Sequence, residues 1–381
     1  MKHTILYGLI MVLLLSCITE IRDFKQAGSN SFITIDASLS DRVEAHQIFL
    51  SYSASSISGI TQDIPIKEAI VSVTDNTGIR TVYHELENGV YQTDNNFAGI
   101  VGRIYTLDIV LKDGKHYQSL PEKLSAVPSI KDINYEFIPQ TNYPEIDSRR
   151  VGFNVTLDFE DPAETGQYYQ WDWVHYERAL YCSSCDNGYD YSIGGCANSS
   201  DRLPYYERWN TIRPIRYRCS ENCFDITREN KFNIFSDELF NGKPISNLPI
   251  LRVPFDNYQD YYLIIEQRAI TKDVYEYLNT LKNSTQNNGT LFDTPAITQF
   301  SPNIKCISDS KERVLGVFSV FGVDKKLMYI NRNIDTKGYR PILTVYSGRE
   351  AFLPPGAISP PLTPCVESKT RTKQEPENFH D

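Results

Sequence analysis

GRIYTLDIVLKDGKHYQS, Gly102–Ser119, decides the fold class. Tyr105, Leu107 and Ile109 recur at a spacing of two, which puts them on one face of a strand. Lys112-Asp113-Gly114-Lys115 then supplies turn chemistry, since Asp and Gly tolerate the positive φ that a tight reversal needs. "KHYQS" returns as a second strand. A tyrosine opening such a strand reads as a corner residue bonded to backbone, so Tyr105 is structural. Working outward, "FITIDA" from Phe32, "QIFLSY" from Gln47, "AIVSVTD" from Ala69 and "RTVYHE" from Arg80 repeat the pattern, with Asp75-Asn76-Thr77-Gly78 as another turn. Short strands punctuated this way make residues 31–128 a β-sandwich.

Val127-Pro128 marks a boundary, and a larger β-rich domain is expected over 129–365. There "VGFNVTLDF" sets Val151, Phe153, Val155, Leu157 and Phe159 on one face, and "YYQWDWVHY" does the same for Tyr169, Trp171 and Trp173. One clear helix starts at Thr271 as N-cap, with Asp273 in its first turn and Val274, Leu278 and Leu281 on one side. Residues 180–224 interrupt the pattern as a Cys-rich insertion, and residues 366–381 form a polar tail. The fold class is mainly β.

The N-terminus fixes the compartment. Ile5–Leu15 is an apolar run of 11 residues, too short for a spanning helix, which needs about 20. It follows Lys2 and ends in Leu14-Leu15-Ser16-Cys17, similar to a bacterial lipoprotein box. Residues 1–16 are therefore expected to be a signal peptide, with Cys17 as the lipidation site and 17–30 as a tether; the alternative is an ordinary signal peptide with an incidental cysteine. The expected location is the outer membrane. The formal net charge of −10 argues against nucleic acid as a partner, because phosphate binding needs a basic footprint.

Of eight cysteines, Cys17 goes to lipid, which leaves Cys182, Cys185, Cys196, Cys219, Cys223, Cys306 and Cys365. An exported chain meets an oxidising compartment, so these are disulfide candidates, with at least one thiol left over. Bridges within Cys182–Cys223 and a Cys306–Cys365 bridge are expected. The spacings Cys182-x2-Cys185 and Cys219-x3-Cys223 also fit a four-cysteine zinc site, but disulfides compete for those thiols. Asp158, Glu160, Asp161 and Glu164 cluster as calcium ligands do; without EF-hand spacing, a solvated turn is the better reading. No metal or cofactor is expected.

Catalytic motifs are missing: there is no Gly-x-Ser-x-Gly, His-Glu-x-x-His or P-loop. His175, near Trp173 and Glu177, is the one histidine in a suggestive setting, and a satisfied strand histidine is its plainer reading. The insertion carries Tyr189, Tyr191, Tyr205 and Trp209, residue types enriched at interface hot spots, along with Arg208, Arg213, Arg216 and Arg218. These four aromatic residues are the candidate binding set; the competing reading is that the insertion only covers a sheet edge.

"SDELFNGKPI", "VYEYLNTLKNSTQNNGTLFDTP" and "NIKCISDSKERVLGVFSV", in that order, resemble a Bacteroidota lipoprotein family that carries the domain of unknown function DUF4249. "KEAIVSVTDNTG" and "NGVYQTDNNFAGIVGRIYTLDIVLKDGKHYQS" resemble its Ig-like N-terminal half. The resemblance covers roughly residues 17–365, with Ser301-Pro302 standing before Asn303 where the family often has a small residue and glycine. It implies an outer-membrane lipoprotein, often encoded beside a TonB-dependent transporter, with no established activity. The expected function is non-enzymatic: an accessory or ligand-capture component of such a transporter. The alternative is a structural or adhesive module of the envelope.

Overall fold

The structure, a computed structural model, describes residues 31–53, 63–139, 151–198, 214–229, 231–286, 299–334, 338–339, 341, 349–351, 356 and 361–379. Over these residues it is mainly β with one long helix. Cys17 lies outside the described residues. Among those described, no helix is long and apolar enough to cross a membrane.

The N-terminal strands pair as their alternation requires. In Ile104–Val110, Tyr105, Leu107 and Ile109 are buried and the residues between them are not. The Tyr105 hydroxyl accepts the Ile100 N–H at 2.7 Å, which is the corner bond expected of it. Ile70–Asp75 pairs with Ile104–Val110 on one side and Arg80–Glu87 on the other. Arg80–Glu87 continues to Val90–Gln92, and from there the sheet runs through Gln47–Tyr52 to Ile33–Ser40. The sheet thus turns back on itself around one core of Ile35, Leu50, Val71, Leu107, Tyr117 and their neighbours.

The boundary expected at residue 128 is crossed. The strand Val314–Ile330 is 17 residues long and serves two halves of the molecule. Its first half pairs in parallel with Ile33–Ser40, from Ile33↔Val314 to Ser40↔Phe321. Its second half pairs antiparallel with Tyr261–Ile270, from Ala269↔Gly322 to Tyr261↔Ile330. Ile304–Cys306 also joins the N-terminal unit, beside His116–Ser119. The approach of Val314–Ile330 to its parallel neighbour depends on Gly316. That residue has φ +92°, and a Cβ there would lie 2.0 Å from the Ile35 carbonyl oxygen.

In the second half, Ile130–Ile138, Gly152–Glu160 and Pro244–Pro254 form a three-stranded sheet. It lies over the sheet of Tyr168–Arg178, Tyr261–Ile270 and the end of Val314–Ile330. Phe153, Val155, Leu157 and Phe159 meet Tyr169, Trp171, Leu263, Ile265 and Ile330 in one core. The helix Lys272–Gln286 begins where expected, with the Thr271 carbonyl taking the first helical bond from Tyr275 at 2.9 Å. Its Val274 and Leu278 pack on Val317 and Phe321, against the shared strand.

The tail is not a loose polar extension. Arg371–Thr372 pairs with Phe224–Asp225. Phe379 packs edge-on against Phe224 and Tyr262, with ring centroids 5.0 and 5.4 Å away. Its polar side chains add ion pairs to the body: Arg371 with Asp225, Lys373 with Glu221 and Glu377 with Lys325.

Candidate functional site

Beyond Arg178 the strand Tyr168–Arg178 leaves the sandwich and enters the Cys-rich insertion. Tyr181–Cys185 pairs with Ile215–Cys219, and the latter also takes Arg349–Glu350 and Leu362–Thr363 as short parallel partners. Three disulfides hold this module: Cys182–Cys219, Cys185–Cys196 and Cys223–Cys365. The expected Cys306–Cys365 bridge is not formed. Cys306 is buried in the N-terminal core as a free thiol, and Cys365 instead joins Cys223, so one bridge leaves the insertion and ties in the tail. With Cys182, Cys185, Cys219 and Cys223 all in disulfides, the zinc reading of those four is replaced as well.

A groove of about 580 Å³ lies between this module and the second sandwich. Its lining comes from Leu180–Ser184 and Arg216 on the module, from Asn257, Tyr258 and Gln259 on the sandwich, and from Asp225 and Arg371. The Arg371 Nε donates to Asp225 at 2.6 Å and its Nη1 to the Cys182 carbonyl at 3.1 Å, so the tail itself builds part of the lining. Arg216 stands 5.5 Å over the Tyr181 ring. Tyr258 is 49% exposed, which leaves an aromatic face at the mouth.

Under the groove is a buried ionic knot centred on Arg332, whose side chain is 0% exposed. Its Nη1 donates to Asp256 at 2.6 Å, its Nη2 to Glu177 at 3.0 Å and its Nε to the Gln259 carbonyl at 2.6 Å; Nη2 also reaches Asn257. The guanidinium sits 5.2 Å from the Tyr261 ring, and the His175 ring stacks on the same tyrosine at 3.4 Å. Burial of a charge is tolerable only with such complete pairing. Burial would raise the Glu177 carboxyl, but the His175 hydrogen bond, the Arg332 charge and the Asn257 amide outweigh it and hold it at about 2. For Asp256 burial wins over the pull of Arg332, and its carboxyl is held above the usual range. The knot fixes the loop Asp256–Gln259, and with it one wall of the groove.

His175 has the carboxylate partner its sequence setting hinted at, Glu177 at 3.3 Å. Its Nδ1 lies 2.7 Å from the Tyr262 carbonyl, which can only accept, so that nitrogen carries a proton. With the ring 3% exposed and stacked on Tyr261, this histidine works inward, on the knot.

Only part of the expected binding set can be placed. Tyr189 and Tyr191 pack edge-on at 4.9 Å on the small hairpin held by Cys185–Cys196, and Tyr191 is 58% exposed. Neither lines the groove. Tyr205 and Trp209 lie outside the described residues, as do Arg208 and Arg213. Arg218 pairs at the surface with Glu350 at 2.8 Å. Arg332, Asp256–Gln259 and Arg371 were not singled out from the sequence. Arg332 comes one residue after the apolar "LMYI" strand end, behind Asn331, a position that by itself reads as a solvated turn, and Arg371 gives no signal in a polar tail.

The family model described as Domain of unknown function (DUF4249) matches residues 19–327 of the chain. Comparison with curated proteins returns no match.

Proposed function

The chain belongs to the DUF4249 family, and on that premise we propose that it is an outer-membrane lipoprotein, anchored through Cys17, that captures ligand for a TonB-dependent transporter without chemistry of its own. The observation that carries this reading is the groove. Its two walls are held from behind, one by disulfides and the other by the Arg332 knot. Rigid walls lower the ordering cost of binding. Its lining mixes aromatic faces with arginine and amide groups, the make-up of recognition surfaces. In this reading the N-terminal unit, Ig-like in the family, is the spacer nearest the anchor. The module carrying the groove and the exposed Tyr191 contacts the transporter or its ligand.

The test is a pull-down from detergent-solubilised outer membranes with the tagged, intact chain. A co-purifying transporter barrel is expected, with Cys17→Ser releasing the chain from the membrane. Arg216→Ala with Tyr258→Ala should weaken ligand or barrel capture at least tenfold while leaving the melting curve unchanged. If no barrel is recovered and the chain instead binds cells or matrix, the structural or adhesive alternative replaces this one.

A further inference from the structure

Far from the groove, the second sandwich contains an unbalanced group. Asp237 is 0% exposed, and neither of its carboxylate oxygens has a hydrogen-bond partner among the described residues. Four residues on, the Asn241 Oδ1 is also buried and without a partner. Asp161, 6% exposed, is the buried member of the acidic cluster at the end of Gly152–Glu160, and the charges of Asp161 and Asp237 both act on the Tyr169 hydroxyl. The sequence reading of that cluster as a solvated turn fits Glu160 and Glu164, which are exposed, and fails for Asp161.

The turns carrying these residues are laced together. The Gly242 N–H donates to Asp161 Oδ2 at 3.0 Å, and the Asp161 N–H to the Lys243 carbonyl at 3.4 Å. The Asn241 amide reaches the Ala163 carbonyl at 3.5 Å, and the Asp237 N–H donates to the Gln167 carbonyl at 3.1 Å. The two turns touch so closely that a Cβ on Gly242, which has φ +68°, would come within 3.3 Å of the Ala163 Cα. The other Asp161 oxygen accepts the Tyr169 hydroxyl at 2.7 Å. No lysine or arginine forms an ion pair with Asp161 or Asp237 among the described residues.

An ionised carboxylate buried without partners is strongly disfavoured. Three buried acceptors stand without partners among the described residues: both Asp237 oxygens and the Asn241 carbonyl. A cation serves all three at once and balances the two carboxylate charges. The donors are all oxygen, which suits calcium or magnesium and not the softer metals. We propose that Asp237, Asn241 and Asp161 form a binding site for a hard divalent cation, calcium foremost. The ion pins the turn after Gly152–Glu160 to the turn before Pro244–Pro254. It thereby clamps the end of the second sandwich from which Tyr168–Arg178 sets out toward the groove.

Titrating calcium into the intact, chelator-stripped chain by calorimetry should give one site per chain. The melting temperature should rise by about 4 °C or more at saturation, and parallel titrations with magnesium and manganese rank the ions. Asp237→Asn should abolish both signals, Asn241→Ala should weaken binding at least tenfold, and Glu164→Gln, in the same turn but exposed, should change neither. Wild type showing no heat and no shift with any of the three ions overturns the proposal. So does a calcium shift that survives in both Asp237→Asn and Asn241→Ala. An Asp237→Asn variant that is more stable than the cation-free wild type and indifferent to calcium supports the proposal when wild type binds the ion and rejects the site when it does not.

Discussion

The N-terminal unit and the Cys-rich module solve the same problem with opposite means. The first encloses a broad apolar core from Ile33 to Val320. Among its described residues the second clusters little beyond Ile215, Tyr217 and its own cysteines, and three disulfides add closure. The cysteines follow the division: the one that falls in the large core, Cys306, stays a thiol. Small units without enough core are commonly stapled in this way. A stapled unit can spend its surface on grooves and exposed aromatic rings, whereas a packed unit needs its side chains inside. On the function proposed above, the same difference would separate a supporting part from a presenting one.

The contrast is broken most severely at the seam. Gly316→Ala should cost more than about 3 kcal/mol or prevent folding, because both the positive φ and the Ile35 carbonyl oppose a side chain. The loss should be global, read as a single earlier urea transition, since Val314–Ile330 belongs to both halves of the molecule. Cys365→Ser should cost about 2–5 kcal/mol but only locally: hydrogen exchange should speed up in Ile215–Cys219 and Arg371–Thr372 and stay slow in Ile104–Val110. An equal loss of protection in both places would erase the distinction drawn here.

The smallest effect tests electrostatics in the knot under the groove. The folded Glu177 carboxyl sits at about 2 against an ordinary 4.5. A depressed acid stabilises the fold above its unfolded value, and that contribution is lost as pH falls from about 4.5 toward 2. Asp256, raised first by burial and in part by the Glu177 charge itself, works in the opposite sense, and Glu177→Gln relieves that part. Glu177→Gln should therefore be less stable than wild type at pH 7, and the gap should narrow on acidification through that window. Urea midpoints at stepped pH check this; a gap that stays constant would mean that the carboxylate charge contributes nothing.

The sequence was legible wherever local pattern decides structure. Tyr105 is a corner because a strand must start there, and the Val274–Leu278 face is buried because helical spacing demands it. What it hid was pairing at a distance. Nothing in Ile33–Ser40 says that its parallel neighbour lies some 280 residues on, since that register follows from the whole core. The groove was half legible for a related reason. The insertion stood out by composition, but its opposite wall is an ordinary loop made rigid by an arginine, Arg332, that local pattern reads as solvent-facing. Asp237 was hidden likewise, as one acid in a short polar turn.

The bridge from Cys223 to Cys365 spans 142 residues, and this has a practical side. A protease that cuts the chain once anywhere between those cysteines yields two fragments that remain one molecule. Such a nick is invisible in size on a non-reducing gel and appears only when a thiol reagent is added. A chain so linked can be clipped without shedding either piece.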